Sequence, residues 1–179
     1  MKVRFRSSLL GVVVTLSLGI SVLSCGNSAD DSVPKDICGT KIDPDITRTI
    51  VEPGDEWSEY DRVDRAEAIT APCVLFSSGK RVLDFRFSWT DEKPDLMYLS
   101  GTGSVSGVND PHRVDFAEGA VVGTDGALST TSCRTKGGEY FTLTLQLPQV
   151  DPLDRGYRKD IEEFMRAYFP ATVKTLGCR

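Results

Sequence analysis

Sulfur is the first candidate for chemistry in this chain. Five cysteines, Cys25, Cys38, Cys73, Cys133 and Cys178, stand beside a single histidine, His112. No two cysteines are spaced C-x-x-C, which argues against a zinc knuckle and a thioredoxin-type redox pair. One histidine also falls short of a His-rich catalytic zinc site. His112 follows Asn109-Asp110-Pro111. It could act as a general base, but no G-x-S-x-G elbow accompanies it, and the residue reads as a polar turn histidine. Asp43 and Asp45 start something like a calcium loop. Position six would then be Arg48 where glycine is needed, and the closing acid would fall on Gly54. Gly101, Gly103 and Gly107 match neither a dinucleotide nor a Walker loop. Glu52, Asp55, Glu56, Glu59, Asp61, Asp64 and Glu67 form an acidic run. Such a run can attract a cation or a basic partner, and its usual meaning is a solvated face. Trp57 and Tyr60 suit the edge of a core, or the lining of a sugar or peptide groove. No catalytic set, metal site or cofactor is expected.

The amino-terminal residues place these groups. Lys2, Arg4 and Arg6 precede an uncharged, mainly apolar run from Leu9 to Leu23, and Ser24 and Cys25 follow. A basic head, an apolar stretch and a small residue at the boundary make a secretory signal. The run is short against the roughly 20 apolar residues of a permanent span. Val22-Leu23-Ser24-Cys25 resembles the lipobox of bacterial lipoproteins. That resemblance implies a diacylglycerol on the Cys25 sulfur and cleavage before Cys25, and leaves acylation of the new amino terminus open. It implies a cell-membrane protein, lipid-anchored on the extracytoplasmic face. Residues 1–24 are then the signal peptide. Residues 25–36, polar and acidic, are read as a flexible tether, and residues 37–179 as one domain.

Removal of residues 1–24 from the 179-residue chain leaves 155, enough for one core. The formal charge of −5 includes Lys2, Arg4 and Arg6, so the mature part carries −8. An acidic domain is a poor partner for nucleic acid or anionic lipid headgroups. The four remaining cysteines, even in number in an exported chain, argue for two disulfides. Three pairings are possible; the favoured one is Cys38–Cys73 with Cys133–Cys178, which joins neighbours along the chain.

Patterning predicts an α+β fold, an antiparallel sheet of hairpins packed by a C-terminal helix. Cys73 to Ser77, the turn signal Ser78-Gly79 and the alternating stretch Arg81 to Trp89 make a hairpin, with Leu83, Phe85, Phe87 and Trp89 on one face. Leu96 to Val105 is read as a further strand. Ala120 to Val122 and Ala127 to Thr131 flank the turn dipeptide Asp125-Gly126. In Tyr140 to Leu147, Phe141, Leu143, Leu145 and Leu147 face inward. Pro44 is a possible opening for a short helix over Asp45 to Ile50. Asp151 and Pro152 are read as the cap and first position of the last helix, which Pro170 should kink or end. Tyr157, Ile161, Phe164, Met165 and Tyr168 share one face of it. Gly177 is the expected stop.

Cys38-Gly39-Thr40, Cys73, Cys133 and Gly177-Cys178 also resemble a group of small uncharacterised lipoproteins of actinobacteria. That resemblance implies location and disulfides, not an activity. The function expected first is a non-catalytic binding or accessory module, with membrane lipid held through Cys25 and a protein or envelope ligand as partner. A structural envelope component and a carboxylate-dependent envelope hydrolase are the alternatives.

Overall fold

A computed structural model describes residues 32–62, 70–102 and 107–178. The leader, Cys25, Asp64, Glu67 and Gly103 lie outside these residues. One antiparallel sheet carries seven strands in the order β3 (Trp57–Asp61), β4 (Thr70–Ser77), β5 (Lys80–Thr90), β9 (Gly138–Gln146), β8 (Gly126–Thr135), β7 (Gly119–Val122) and β6 (His112–Val114). Two strands of two residues each, β1 (Asp36–Ile37) and β2 (Thr40–Lys41), form a separate hairpin. The helices are α1 (Pro44–Arg48), α2 (Leu96–Thr102) and α3 (Arg158–Thr175). This is the expected α+β arrangement. No helix among the described residues is long and apolar enough to cross a membrane.

The period-two patterns determine which face is buried. Leu83, Phe85, Phe87 and Trp89 on β5 meet Leu145, Leu143 and Phe141 on β9 across a ladder that pairs Phe85 with Leu145 and Trp89 with Phe141. Helix α3 lays Ile161, Phe164, Met165, Tyr168 and Phe169 on that face, all buried. Ring pairs lock the contact: Phe85 stacks on Tyr168 at 4.8 Å and Phe141 on Phe169 at 5.9 Å between centroids. The opposite face carries a smaller cluster of Leu96, Val108, Val121 and Leu128 under α2.

Two hairpin turns show why the chain reverses where it does. Cys38-Gly39 and Ser78-Gly79 each have positive φ at both central residues (51° and 67°; 48° and 75°). That is the left-handed pair a two-residue turn needs to match strand twist. Cys38 is held in this conformation from three directions. Its sulfur is bonded to Cys73, its amide donates to Glu59 Oε1 at 2.9 Å, and the neighbouring Ile37 carbonyl accepts from the Tyr168 hydroxyl at 2.9 Å. The second disulfide joins Cys133 of β8 to Cys178 beyond α3. Both favoured pairings are therefore present. They close loops with sequence separations of 35 and 45, and each contributes about 3–4 kcal/mol in the chain-entropy account.

Several expectations need correction. Leu96 to Thr102 is helix, not strand. Asp95 caps it, its Oδ1 accepting from the amides of Met97 at 3.0 Å and Tyr98 at 3.3 Å. The last helix begins at Arg158 rather than after Asp151. Asp151 and Asp154 spend their side chains on the amides of Leu153 and Gly156, both two residues on. These local turns compete with helix. Pro170 does not end α3. A helix-interior proline costs about 3 kcal/mol, and anchors on both sides offset it. Upstream are the stacked Tyr168 and Phe169. Downstream are the Thr172–Thr40 hydroxyl pair at 3.1 Å, the Gly177 stop (φ 65°) and the Cys133–Cys178 bond. Helix α1 forms on Pro44 as expected but ends at Arg48. The turn-rich stretch after Val51 contains an unforeseen edge strand, β3. Packing also starts earlier than residue 37. Val33 is 2% exposed, and the Ser32 carbonyl accepts from Gly54 N at 3.0 Å and Trp57 Nε1 at 3.2 Å.

Tyr168→Phe should lower unfolding free energy by about 0.5–1.5 kcal/mol, the net worth of one buried hydroxyl–carbonyl bond, since Ile37 stays paired with Thr40 in the hairpin. Phe85→Ala should cost about 3–5 kcal/mol through a cavity under α3. Urea unfolding followed by far-UV circular dichroism measures both, and a loss below 0.5 kcal/mol (about the scatter of surface variants) for Phe85→Ala would contradict this packing.

Candidate functional site

The motifs singled out in the sequence are structural where they are described. Asp43 caps α1, its Oδ1 accepting from Asp45 N at 2.9 Å. His112 opens the edge strand β6 and keeps its Nδ1 2.8 Å from the Asp110 carbonyl. Gly101 lies in α2, and the Gly107 carbonyl accepts from Gln146 Nε2 at 2.8 Å. Trp89 is buried against Phe141. Trp57 donates to the Ser32 and Gly54 carbonyls at the core edge, and Tyr60 is exposed under the Arg62 guanidinium. Of the acidic run, Glu59 and Asp61 come within 4.8 Å of each other and of Cys73 Sγ. That sulfur is already in a disulfide, so only two carboxylates remain there.

A groove of about 600 Å³ opens beside α1 and the β4–β5 hairpin. Three segments distant in sequence build it. The end of α1 gives Arg48 and Thr49, and the turn that follows it gives Ile50, Val51, Glu52 and Pro53. The tip of the β4–β5 hairpin gives Ser77, Ser78, Lys80, Arg81 and Val82. Gln149 and Tyr157, before α3, close the wall. Backbone contacts tie these segments together. Ser78 N donates to the Glu56 carbonyl at 2.8 Å, and Gln149 Nε2 reaches the Ile50 carbonyl at 3.4 Å. Ile50 and Val51 are buried and form an apolar base. Arg48 pairs with Asp45 and Arg81 with Asp84.

The groove can hold a ligand of modest size, since sites of roughly 300–1,000 Å³ suit small molecules. Its lining has many hydrogen-bond donors and one carboxylate, Glu52. A second concavity of about 150 Å³ lies over the other sheet face between β4, β5 and β9, again with one acid, Asp84. Glycoside hydrolysis by paired carboxylates needs two acids flanking one bond, and neither lining supplies them. Sequence reasoning missed the groove because Arg48, Lys80 and Gln149 are far apart along the chain. The one local signal was the Ser78-Gly79 turn, which fixes where Lys80 and Arg81 emerge. Comparison of the chain with protein-family models, with curated proteins and with solved structures gave no match.

Two charged clusters lie elsewhere. Arg158, hydrogen-bonded at 2.6 Å, holds the Asp110 carboxyl below its ordinary range; burial opposes this, and the charges of Arg155 and His112 add smaller lowering effects. At Glu118, burial pushes the carboxyl up. The Ser132 amide and hydroxyl and the Thr131 hydroxyl, with Lys93 nearby, outweigh burial and leave it lowered from 4.5. A lowered folded value means that the charged form stabilises the fold above pH 4.5, and that this stability is lost as pH falls through the folded value. Glu118→Gln keeps one acceptor without the charge. It should be less stable than the parent near neutral pH, and the gap should narrow below about pH 4. Urea midpoints across pH measure it, and a constant gap would count against the assignment.

Proposed function

We propose that this chain is a lipoprotein, anchored to the extracytoplasmic face of the cell membrane through acylated Cys25, whose domain is a non-catalytic binding module. The observation that carries the binding reading is the 600 Å³ groove, with Arg48, Lys80, Ser78, Gln149 and Tyr157 converging from separate segments. A pre-formed concavity with an apolar base and a few polar groups at its rim is how small-ligand sites are built. The anchor is supported by the basic head, the apolar run and Val22-Leu23-Ser24-Cys25. Two disulfides agree with an oxidising compartment, since paired cysteines persist outside the cytosol. One acyl chain anchors only marginally, whereas two or three hold effectively.

Cells expressing the full chain and fed an alkyne fatty acid should label the parent and not Cys25→Ser. The parent should fractionate with membranes, and mass spectrometry should find the acylated peptide beginning at Cys25. An unlabelled chain in the soluble fraction would overturn the anchor. Crosslinking in intact cells, followed by purification, tests the binding reading separately. It should enrich one specific envelope component, and loss of enrichment when groove residues are substituted assigns it to this face.

A further inference from the structure

The groove concentrates positive charge on an acidic chain. Arg48, Lys80 and Arg81 line it against Glu52 alone, while the whole chain has 21 basic and 26 acidic residues. The acids that pair with two of these cations, Asp45 and Asp84, are not part of the lining. Asp84 accepts from both Nε (3.2 Å) and Nη2 of Arg81, and Asp45 accepts from Nη1 of Arg48. The pairs fix both guanidinium groups at the groove, and a phosphate, with more charge and more acceptor oxygens than a carboxylate, can draw further N–H bonds from the same forks. Lys80 follows the tight Ser78-Gly79 turn, is exposed, and enters no ion pair among the described residues. The neutral part of the lining continues the pattern. Ser77, Ser78, Thr49 and Tyr157 bring hydroxyls and Gln149 an amide, while Val51, Pro53 and Val82 offer an apolar side. Cations, hydroxyls and a small apolar wall in about 600 Å³ match an anionic sugar-sized molecule.

We propose that the groove binds a small anionic ligand of the phosphorylated or carboxylated sugar class. The anionic group sits on Arg48, Lys80 and Arg81, and the ring lies against Val51, Pro53 and Val82. This inference rests on the binding-module reading and adds the ligand class to it.

The test uses ¹⁵N-labelled protein purified from cells expressing the full chain, titrated with glucose 6-phosphate and, separately, with glucose. Glucose 6-phosphate should shift amide signals of residues 48–53 and 77–82, and glucose should not. Lys80→Gln and Arg81→Gln should each weaken binding at least about tenfold, the scale of one charge-assisted hydrogen bond. Lys159→Gln, on the exposed start of α3 and outside the groove, should leave it unchanged. Equal shifts with glucose would overturn the anionic class and keep the binding module. Phosphatidylglycerol vesicles that shift the same signals, with phosphatidylcholine vesicles inert, would support the anionic chemistry and identify a lipid headgroup as its source. No shift with glucose 6-phosphate or phosphatidylglycerol would overturn the inference, whatever in-cell crosslinking says of the binding reading.

Discussion

Helix α3 rests on the central ladder of the sheet through Phe164, Tyr168 and Phe169, which meet Phe85 and Phe141. Aromatic pairs of this kind add roughly 0.5–1.5 kcal/mol each beyond the apolar area they bury. The rest of the molecule is arranged around this contact. The helix carries the Tyr168 hydroxyl to the Ile37 carbonyl and Thr172 to Thr40, which seats the β1–β2 hairpin. The seated hairpin places Cys38 at Cys73. The same helix brings its far end to Cys133. Without this stacking, one sheet face would be exposed, and both disulfides would join segments with no reason to meet.

The groove is a by-product of that arrangement. Chain leaving the β1–β2 hairpin must pass the end of the sheet, and it does so as the short helix α1 and the stretch through Pro53. The β4–β5 hairpin projects over it, held by the bond from Ser78 N to the Glu56 carbonyl. A space remains because a hairpin tip and a passing turn cannot fill the angle between them with side chains from Ile50 and Val51 alone. Arg48, Lys80 and Arg81 stand around that space beside hydroxyl and apolar side chains. A site formed this way is rigid at its base and adaptable at its rim, where Arg48, Lys80 and Arg81 end long side chains.

Alternation over Arg81 to Trp89 and Tyr140 to Leu147 was enough to identify the two central strands and their buried faces, because a sheet covered on one side leaves little freedom in register. Cysteine order left three pairings open, and the favoured one, between neighbours along the chain, is the one present. The Leu96–Thr102 helix was not foreseen, since its apolar residues are few and Gly101 and Gly103 read as strand irregularities. The cap at Asp95 was the signal to weigh. The late start of α3 was hidden because Asp151-Pro152 looks like a helix opening, and the competing turns at Asp151 and Asp154 depend on side-chain bonds that periodicity does not register. The groove's one linear signal is the Ser78-Gly79 turn. Its charges come from α1 and the β4–β5 tip, and only the fold brings them onto one wall.

The two disulfides neither cross nor enclose one another. Cys38–Cys73 lies wholly before the central β5 strand, and Cys133–Cys178 wholly after the β7 strand. Neither disulfide crosses the β5–β9 seam; the two halves are joined there by the ladder and the ring contacts, and beyond it by the Tyr168–Ile37, Thr172–Thr40 and Gln149–Ile50 hydrogen bonds. Both cysteines of the first bridge therefore leave the ribosome before either cysteine of the second, and a wrong pairing between halves becomes available only once Cys133 has emerged. Docking of α3, which seats Cys38 against Cys73 and brings Cys178 to Cys133, is the step that favours the native pairs over the others.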